Sequence, residues 1–187
     1  MTRMLIIGPP GAGKGTQAVR ISQQLGIPAI STGDIFRANI KAQTDLGREA
    51  KGYIDAGDLV PDSVTNRMVR ARLAEGDAAD GFLLDGYPRN AAQVGELDTI
   101  LDELGVGLDV VLQLTADRDE LVQRLLGRAR KEGRTDDTED VIRHRLDVYD
   151  AETAVVVDHY ADRGIVREVD GLGTVEEVAE RIMAALS

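Results

Sequence analysis

The chain has 187 residues, 43% of them hydrophobic and 29% charged, which suits one soluble globular domain with room for small inserts but not for a second full domain. It contains no cysteine, so disulfides, thiol catalysis and cysteine-ligated zinc are excluded. A net charge of −11 argues against nonspecific binding to nucleic acid or to an anionic membrane, and no apolar run suits a signal-peptide core or a bilayer span, so a cytoplasmic protein is expected.

The first apolar run, Met4-Leu5-Ile6-Ile7, reads as a buried strand and leads straight into Gly8-Pro9-Pro10-Gly11-Ala12-Gly13-Lys14-Gly15-Thr16. A polyphosphate needs many backbone N–H donors close together and one flexible cation. Glycines at 8, 11, 13 and 15 let the backbone approach the phosphates, Lys14 reaches the outer ones, and the helix expected over 15–25 turns its N-terminal dipole toward the charge. The Gly-x-x-x-x-Gly-Lys pattern is met, with Gly at 15 and the hydroxyl one place later, at Thr16. A Gly/Pro turn between strand and helix is the plain alternative; the strand before, the lysine in place and the helix after favour a nucleoside polyphosphate site.

Further strands are expected at 28–31, 82–85, 110–114 and 165–169, and further helices at 33–41, 46–56, 61–75, 91–103, 118–129, 138–160 and 175–186. Short apolar strands separated by helices imply a parallel sheet covered on both faces, a three-layer α/β/α fold with five strands. In the last helix Val175, Val178, Ala179, Ile182 and Leu186 form one apolar stripe, and Thr174 with Glu177 forms a capping box at its start. Two places break the alternation. Residues 32–75 hold three helical patterns in succession, which implies a helical insert at the sheet's edge, and the polar stretch 130–138 reads as a loop between helices. Inserts of this kind commonly serve as lids.

With so acidic a chain, the positions of its 22 Lys and Arg matter more than their number. Arg124 and Arg128 lie four apart on one helix face, where a solvated surface with an Arg124–Glu120 pair is the simpler reading. Arg145 falls in phase with the inward stripe of Val141, Ile142, Leu146 and Tyr149, so it must meet an anion; a carboxylate and a ligand phosphate are equally open. Asp85 ends the strand Phe82-Leu83-Leu84, a position suited to organising magnesium, with a turn or cap as the alternative. Arg37 and Arg89 carry planar forks suited to a second phosphate. His144 and His159 sit among charged neighbours and read as solvated surface.

Taken together these residues closely resemble the adenylate kinase family. Gly8 to Thr16 is similar to that family's GxPGxGKGT loop. Ser31-Thr32-Gly33-Asp34 with Arg37 resembles the start of its AMP-binding insert, and Asp58-Leu59-Val60-Pro61 the end. Asp85-Gly86-Tyr87-Pro88-Arg89 with Gln93 resembles its DG(F/Y)PR…Q motif. Leu126-Gly127-Arg128, then Arg134-Thr135-Asp136-Asp137, then Arg143-His144-Arg145-Leu146 resemble the lid and its flanks. The likeness runs from residue 4 to about 186.

The resemblance implies a magnesium-dependent kinase that converts ATP and AMP into two ADP, working as a monomer. By motif, Gly11, Ala12, Gly13, Lys14, Gly15, Thr16, Arg124, Arg128 and Gly173 would bind ATP. Thr32, Gly33, Arg37, Leu59, Val60, Gly86, Arg89, Gln93, Arg134 and Arg145 would bind AMP. Lys14, Arg89, Arg128, Arg134 and Arg145 would act on the transferring phosphoryl, and Asp85 would hold magnesium through water. Thr32 and Gln93 favour AMP over UMP or CMP, since related UMP/CMP kinases carry Ala and Asn at those places. A UMP/CMP kinase of the same fold is the nearest rival, and a P-loop regulatory ATPase a more distant one. The implied layout is a core of 1–30, 76–129 and 139–187, an insert over 31–75 and a short lid over 130–138, too short for structural zinc.

Overall fold

Five short strands make one parallel sheet: β1 (Arg3–Ile7), β2 (Ala29–Ser31), β3 (Phe82–Asp85), β4 (Val110–Thr115) and β5 (Val166–Asp170), in the order β2-β3-β1-β4-β5. The computed structural model describes residues 2–187; Met1, first residue of the expected core segment, lies outside them. The expected five-stranded parallel α/β architecture is the one observed. The register sets Ile6 of β1 opposite both Asp85 of β3 and Leu112 of β4. The phosphate loop leaving β1 therefore emerges beside the carboxylate that ends β3, at the carboxyl edge of the sheet, where ligands of such folds bind.

Side chains alternate across the sheet. Met4, Ile6, Leu83, Leu112 and Leu114 point to one face, where they pack under α1 (Lys14–Leu25), α6 (Arg118–Glu132), α7 (Glu139–Val148) and α9 (Val175–Leu186). Leu5, Ile7, Leu84 and Val111 point to the other, under α4 (Asp62–Leu73), α5 (Ala91–Leu104) and α8 (Ala154–Ala161). The near-continuous apolar runs of β1, β3 and β4 are what a sheet buried on both faces requires, while the edge strand β5 is mostly polar and exposed. Helix starts are fixed locally: Ser31, Thr44, Asn90, Asp117 and Thr138 each accept a backbone N–H at an N-terminus, and Thr174 with Glu177 forms the expected capping box.

Between β2 and β3 the chain builds α2 (Thr32–Lys41), α3 (Asp45–Ala56) and α4, with a small core of Phe36, Ala50, Val60 and Val64. Because β2 is an edge strand, this insert hangs from the sheet's edge as expected. Its last helix is nonetheless tied to the rest of the fold: Arg70 bonds Glu96 of α5 at 2.8 Å, and Tyr87 Oη, in the turn after β3, donates to Asn66 at 2.8 Å.

Most helix boundaries lie within two residues of expectation, and two helices differ by more. The helix expected over 118–129 continues to Glu132, so the loop starts at Gly133, which caps the helix with φ 61°. Arg130, Lys131 and Glu132 are polar but favour helix, and the glycine sets the stop. The helix expected over 138–160 is interrupted by a π-turn at Tyr149–Thr153, between α7 and α8. There the buried Thr153 hydroxyl donates to the Arg89 carbonyl at 2.7 Å. Inward positions Leu146, Tyr149, Thr153 and Val156 keep helical spacing through the turn, so the period conceals it.

Candidate active site

Gly11 and Gly13 take φ of 85° and 92°, values that side-chain-bearing residues rarely reach, and this curls the loop after β1 around a concave surface. A Cβ on Gly11 would also stand 2.9 Å from Leu125. Helix α1 starts at Lys14 with Gly13 at its N-cap, no side-chain cap and no acidic residue in its first turn. Its first N–H groups are therefore left for an external anion. Lys14 Nζ folds back to the carbonyls of Gly8 at 2.8 Å and Pro9 at 3.1 Å. Burial brings the Lys14 ammonium down to about 8, against the pull of Asp85, and nearby Arg89 and Arg128 push the same way as burial. The exposed Thr16 lies two residues further on, in the first turn of α1.

Asp85 faces this loop from the end of β3, only 9% exposed. Burial raises its carboxyl above the ordinary range despite the attraction of Lys14 and Arg89. The chain then turns sharply at Gly86, φ 85°, where a Cβ would collide with Thr32 Oγ1 at 2.6 Å. Thr32 Oγ1 donates to the Gly86 carbonyl at 2.9 Å, and Arg89 Nε donates to the same oxygen at 2.8 Å. Arg89 is pushed below its usual range, chiefly by burial. Gln93 Oε1 accepts from the Arg89 backbone N–H at 2.7 Å, while Gln93 Nε2 donates to Asp62 at 2.9 Å. Arg37 reaches the same space from α2, paired with Asp34 at 2.7 Å.

From α6, Arg124 donates to the Gly171 carbonyl at 3.0 Å and to Glu120 at 3.2 Å. The Glu120 pair expected of a solvated face is present, and the bond to Gly171 also ties Arg124 to the loop after β5. Arg128 bonds Asp137 through Nη2 at 2.8 Å. Arg145 meets the same carboxylate, as well as Asp136 at 2.8 Å and the Ile54 carbonyl at 2.9 Å. In this structure, then, the inward-facing Arg145 finds carboxylates. Burial pushes Asp136 up, but its bond to Arg145 carries it below the ordinary carboxylate range. Arg134 pairs with Glu132 at 2.5 Å. Of the histidines, His144 is exposed and meets Asp58 at 2.6 Å, while exposed His159 lies 3.2 Å from Arg163.

One cleft of about 970 Å³ gathers Lys14, Asp85 and the arginines at 37, 89, 124, 128, 134 and 145, and every predicted site residue lines it, including Gly15, Gly33, Leu59, Val60 and Gly173. The adenylate kinase family model matches residues 6–165. The chain belongs to the adenylate kinase family. It is 76% identical over 186 residues to the adenylate kinase of Kocuria rhizophila, covering 100% of this chain and 99% of that protein. It is 66% identical to the adenylate kinase of Pseudarthrobacter chlorophenolicus, over 100% and 97% of the two chains. With that of Thermobifida fusca the identity is 56%, over 98% and 97%.

Within this adenylate kinase cleft, sequence reasoning missed the anions that hold the cations. Asp136 and Asp137 follow Arg134 closely and show no periodic signal, yet they neutralise Arg128 and Arg145. Asp62 reads as an ordinary first-turn helix acid, but it reaches across to α5. Among the described residues no three His, Cys, Asp or Glu group to hold a metal, and no helix is long and apolar enough to cross a membrane.

Proposed function

We propose that this adenylate kinase family member transfers a phosphoryl group reversibly from magnesium-bound ATP to AMP, giving two ADP. The observation that carries this reading is the pairing of two anion stations across Asp85: the uncapped start of α1 with Lys14 on one side, Arg37 and Arg89 on the other. A switch ATPase has no use for the second station.

Phosphoryl transfer asks of a protein mainly position and charge. Gly11 to Thr16 and Lys14 hold the donor's phosphates, with Arg124 and Gly173 beside its base. Arg37 and Arg89 hold the acceptor's phosphate, among Gly33, Leu59, Val60 and Gly86, while Thr32 and Gln93 read its base. The attacking oxygen of AMP is already ionised at neutral pH, so no general base is needed. Arg128, Arg134 and Arg145 swing onto the transferring group, and the loop before α7, with the insert, excludes the water that would otherwise hydrolyse ATP. The residues fit magnesium better than a metal held by protein alone. Asp85 is one buried carboxylate near the Thr16 turn, and magnesium usually takes few protein ligands, completing its shell with water and substrate phosphates. When bound there, the ion supplies charge neutralisation across those phosphates.

In this reading, residues 31–75 form the acceptor insert and the lid loop is the part of 130–138 beyond Glu132. A cytoplasmic monomer without structural zinc completes the proposal. The test is ADP formation with Mg-ATP and AMP, GMP, UMP or CMP in turn. Turnover with AMP well above the others is expected. A preference for UMP or CMP would overturn the base assignment, and ATP hydrolysis indifferent to every monophosphate would overturn the two-station reading.

A further inference from the structure

A glutamine amide is nearly symmetric in shape, so reading a base with it requires something to fix which end is oxygen. Here two neighbours make the same demand. The Asp62 carboxylate can only accept, so the Gln93 atom 2.9 Å away is Nε2. The Arg89 backbone N–H can only donate, so the atom 2.7 Å from it is Oε1. Asp62 Oδ1 also accepts from Asn90 Nδ2 at 3.0 Å, and Asn90 caps α5 at the Gln93 N–H, at 2.9 Å. Gln93 is thus clamped at side chain and backbone, with one N–H and one oxygen lone pair left for a ligand. Adenine presents an amino donor beside a ring-nitrogen acceptor and matches that remainder. Guanine presents a carbonyl and a ring N–H, the reverse pattern, which suits a flipped amide.

We propose that Asp62 is the positioning residue that fixes the Gln93 amide and so sets the preference for AMP over GMP. The inference rests on the reading of Gln93 as a base-contacting residue. Asp62 belongs to α4 and Gln93 to α5, so the clamp also joins the insert's last helix to the core.

The experiment compares Asp62→Ala, Asp62→Asn, Gln93→Leu and the double variant Asp62→Ala/Gln93→Leu in steady state with AMP and GMP. In Asp62→Ala the KM for AMP is expected to rise about tenfold and the AMP-to-GMP ratio of kcat/KM to fall about tenfold, the effect of roughly one lost hydrogen bond. The KM for ATP is expected to stay within about twofold. Because both amides bond a single Asp62 oxygen, Asp62→Asn keeps an acceptor for both and is expected to restore the ratio. A role of the charge at the start of α4 would leave Asn as impaired as Ala. The double variant is expected to be no worse than Gln93→Leu alone. If Asp62→Ala fails to fold, Asp62→Ser, whose side chain suits a helix start but is too short to bridge, takes its place. An unchanged ratio in Asp62→Ala, or additive losses in the double variant, overturns the proposal while leaving Gln93 its role. An unchanged ratio in Gln93→Leu overturns the base-reading role itself, and this inference with it.

Discussion

Lys14 and the arginines at 128, 134 and 145 face one cleft, yet they are held in opposite ways. The partly buried ammonium of Lys14 bonds two backbone carbonyls, and loss of solvent brings it down to about 8. Each of the three arginines is already neutralised by a carboxylate: Arg128 by Asp137, Arg134 by Glu132, and Arg145 by Asp136 and Asp137. The phosphate loop keeps its positive charge ready for a ligand, at a cost to the empty fold. The lid side satisfies its charge internally, so a phosphate there must compete with carboxylates already in place. On the proposed function, preorganisation belongs to the loop after β1 and reversible closure to the segment beyond Glu132.

The largest effect expected from this contrast is at Lys14. Lys14→Met should lower turnover by about 10²–10³-fold or more, the usual scale for losing one preorganised charge contact. It should also raise the Tm of the ligand-free protein, because the fold no longer buries an ammonium. The sign follows from linkage: a lysine with its pKa depressed when folded binds fewer protons than its unfolded counterpart between about 8 and its ordinary value of 10.5, so the native state gains stability as pH rises through that window. At neutral pH the penalty is fully present. The same value predicts that kcat/KM for ATP declines above about pH 8, where the free enzyme loses the charge. Thermal scans and pH profiles of both proteins check this. A lower Tm in Lys14→Met would mean that the Gly8 and Pro9 carbonyls more than offset burial.

The lid side is tested at Asp137, whose side chain is 0% exposed and serves two arginines. Asp137→Asn leaves Arg128 facing a neutral amide and Arg145 with Asp136 as its one remaining carboxylate. Breaking a fully buried pair costs about 3–5 kcal/mol. Since Arg128 and Arg145 are 32% and 18% exposed, about 1–3 kcal/mol is the better expectation after solvent screening. The ligand-free Tm should then fall by roughly 2–10 °C. A bound nucleotide polyphosphate supplies the missing anion, so the rise in Tm on adding one should be larger in the variant than in the wild type. An equal or smaller rise would remove the idea that carboxylate and phosphate compete for the same arginines.

How far all this was legible in the sequence depends on the range of the interactions. The glycine-rich turn after β1, the five short strands and the Thr174–Glu177 capping box are local patterns, and the structure places them within a residue of where they are read. Arg145 was legible as a cation in phase with a buried stripe, but its partners were not, because Asp136 and Asp137 sit in a loop where no period operates. The polarity of 130–138 reads as loop, but Arg130 to Glu132 favour helix and Gly133 is the actual stop. The Asp62–Gln93 bridge joins residues 31 apart on two helices, and nothing in either helix's own pattern announces the other.

The smallest effect expected is at Glu132, and it limits how the comparison is drawn. Arg134 and Glu132 pair at 2.5 Å, closer than the 2.8 Å between Arg128 and Asp137, but Glu132 is 49% exposed. Exposed pairs contribute about 0–1 kcal/mol, because solvent screens them and two long side chains must be held still. Glu132→Gln should therefore move the ligand-free Tm by no more than about 2–3 °C. That shift should shrink with added salt, since exposed charges are screened. The turnover number should remain within about twofold, since Arg134 keeps its charge and needs only to leave a weak partner. Thermal scans at low and high ionic strength measure the difference. A loss as large as that of Asp137→Asn would show that distance, not burial, decides how firmly the lid's cations are held, and the separation between a ready loop and a self-satisfied lid would have to be redrawn around Arg134.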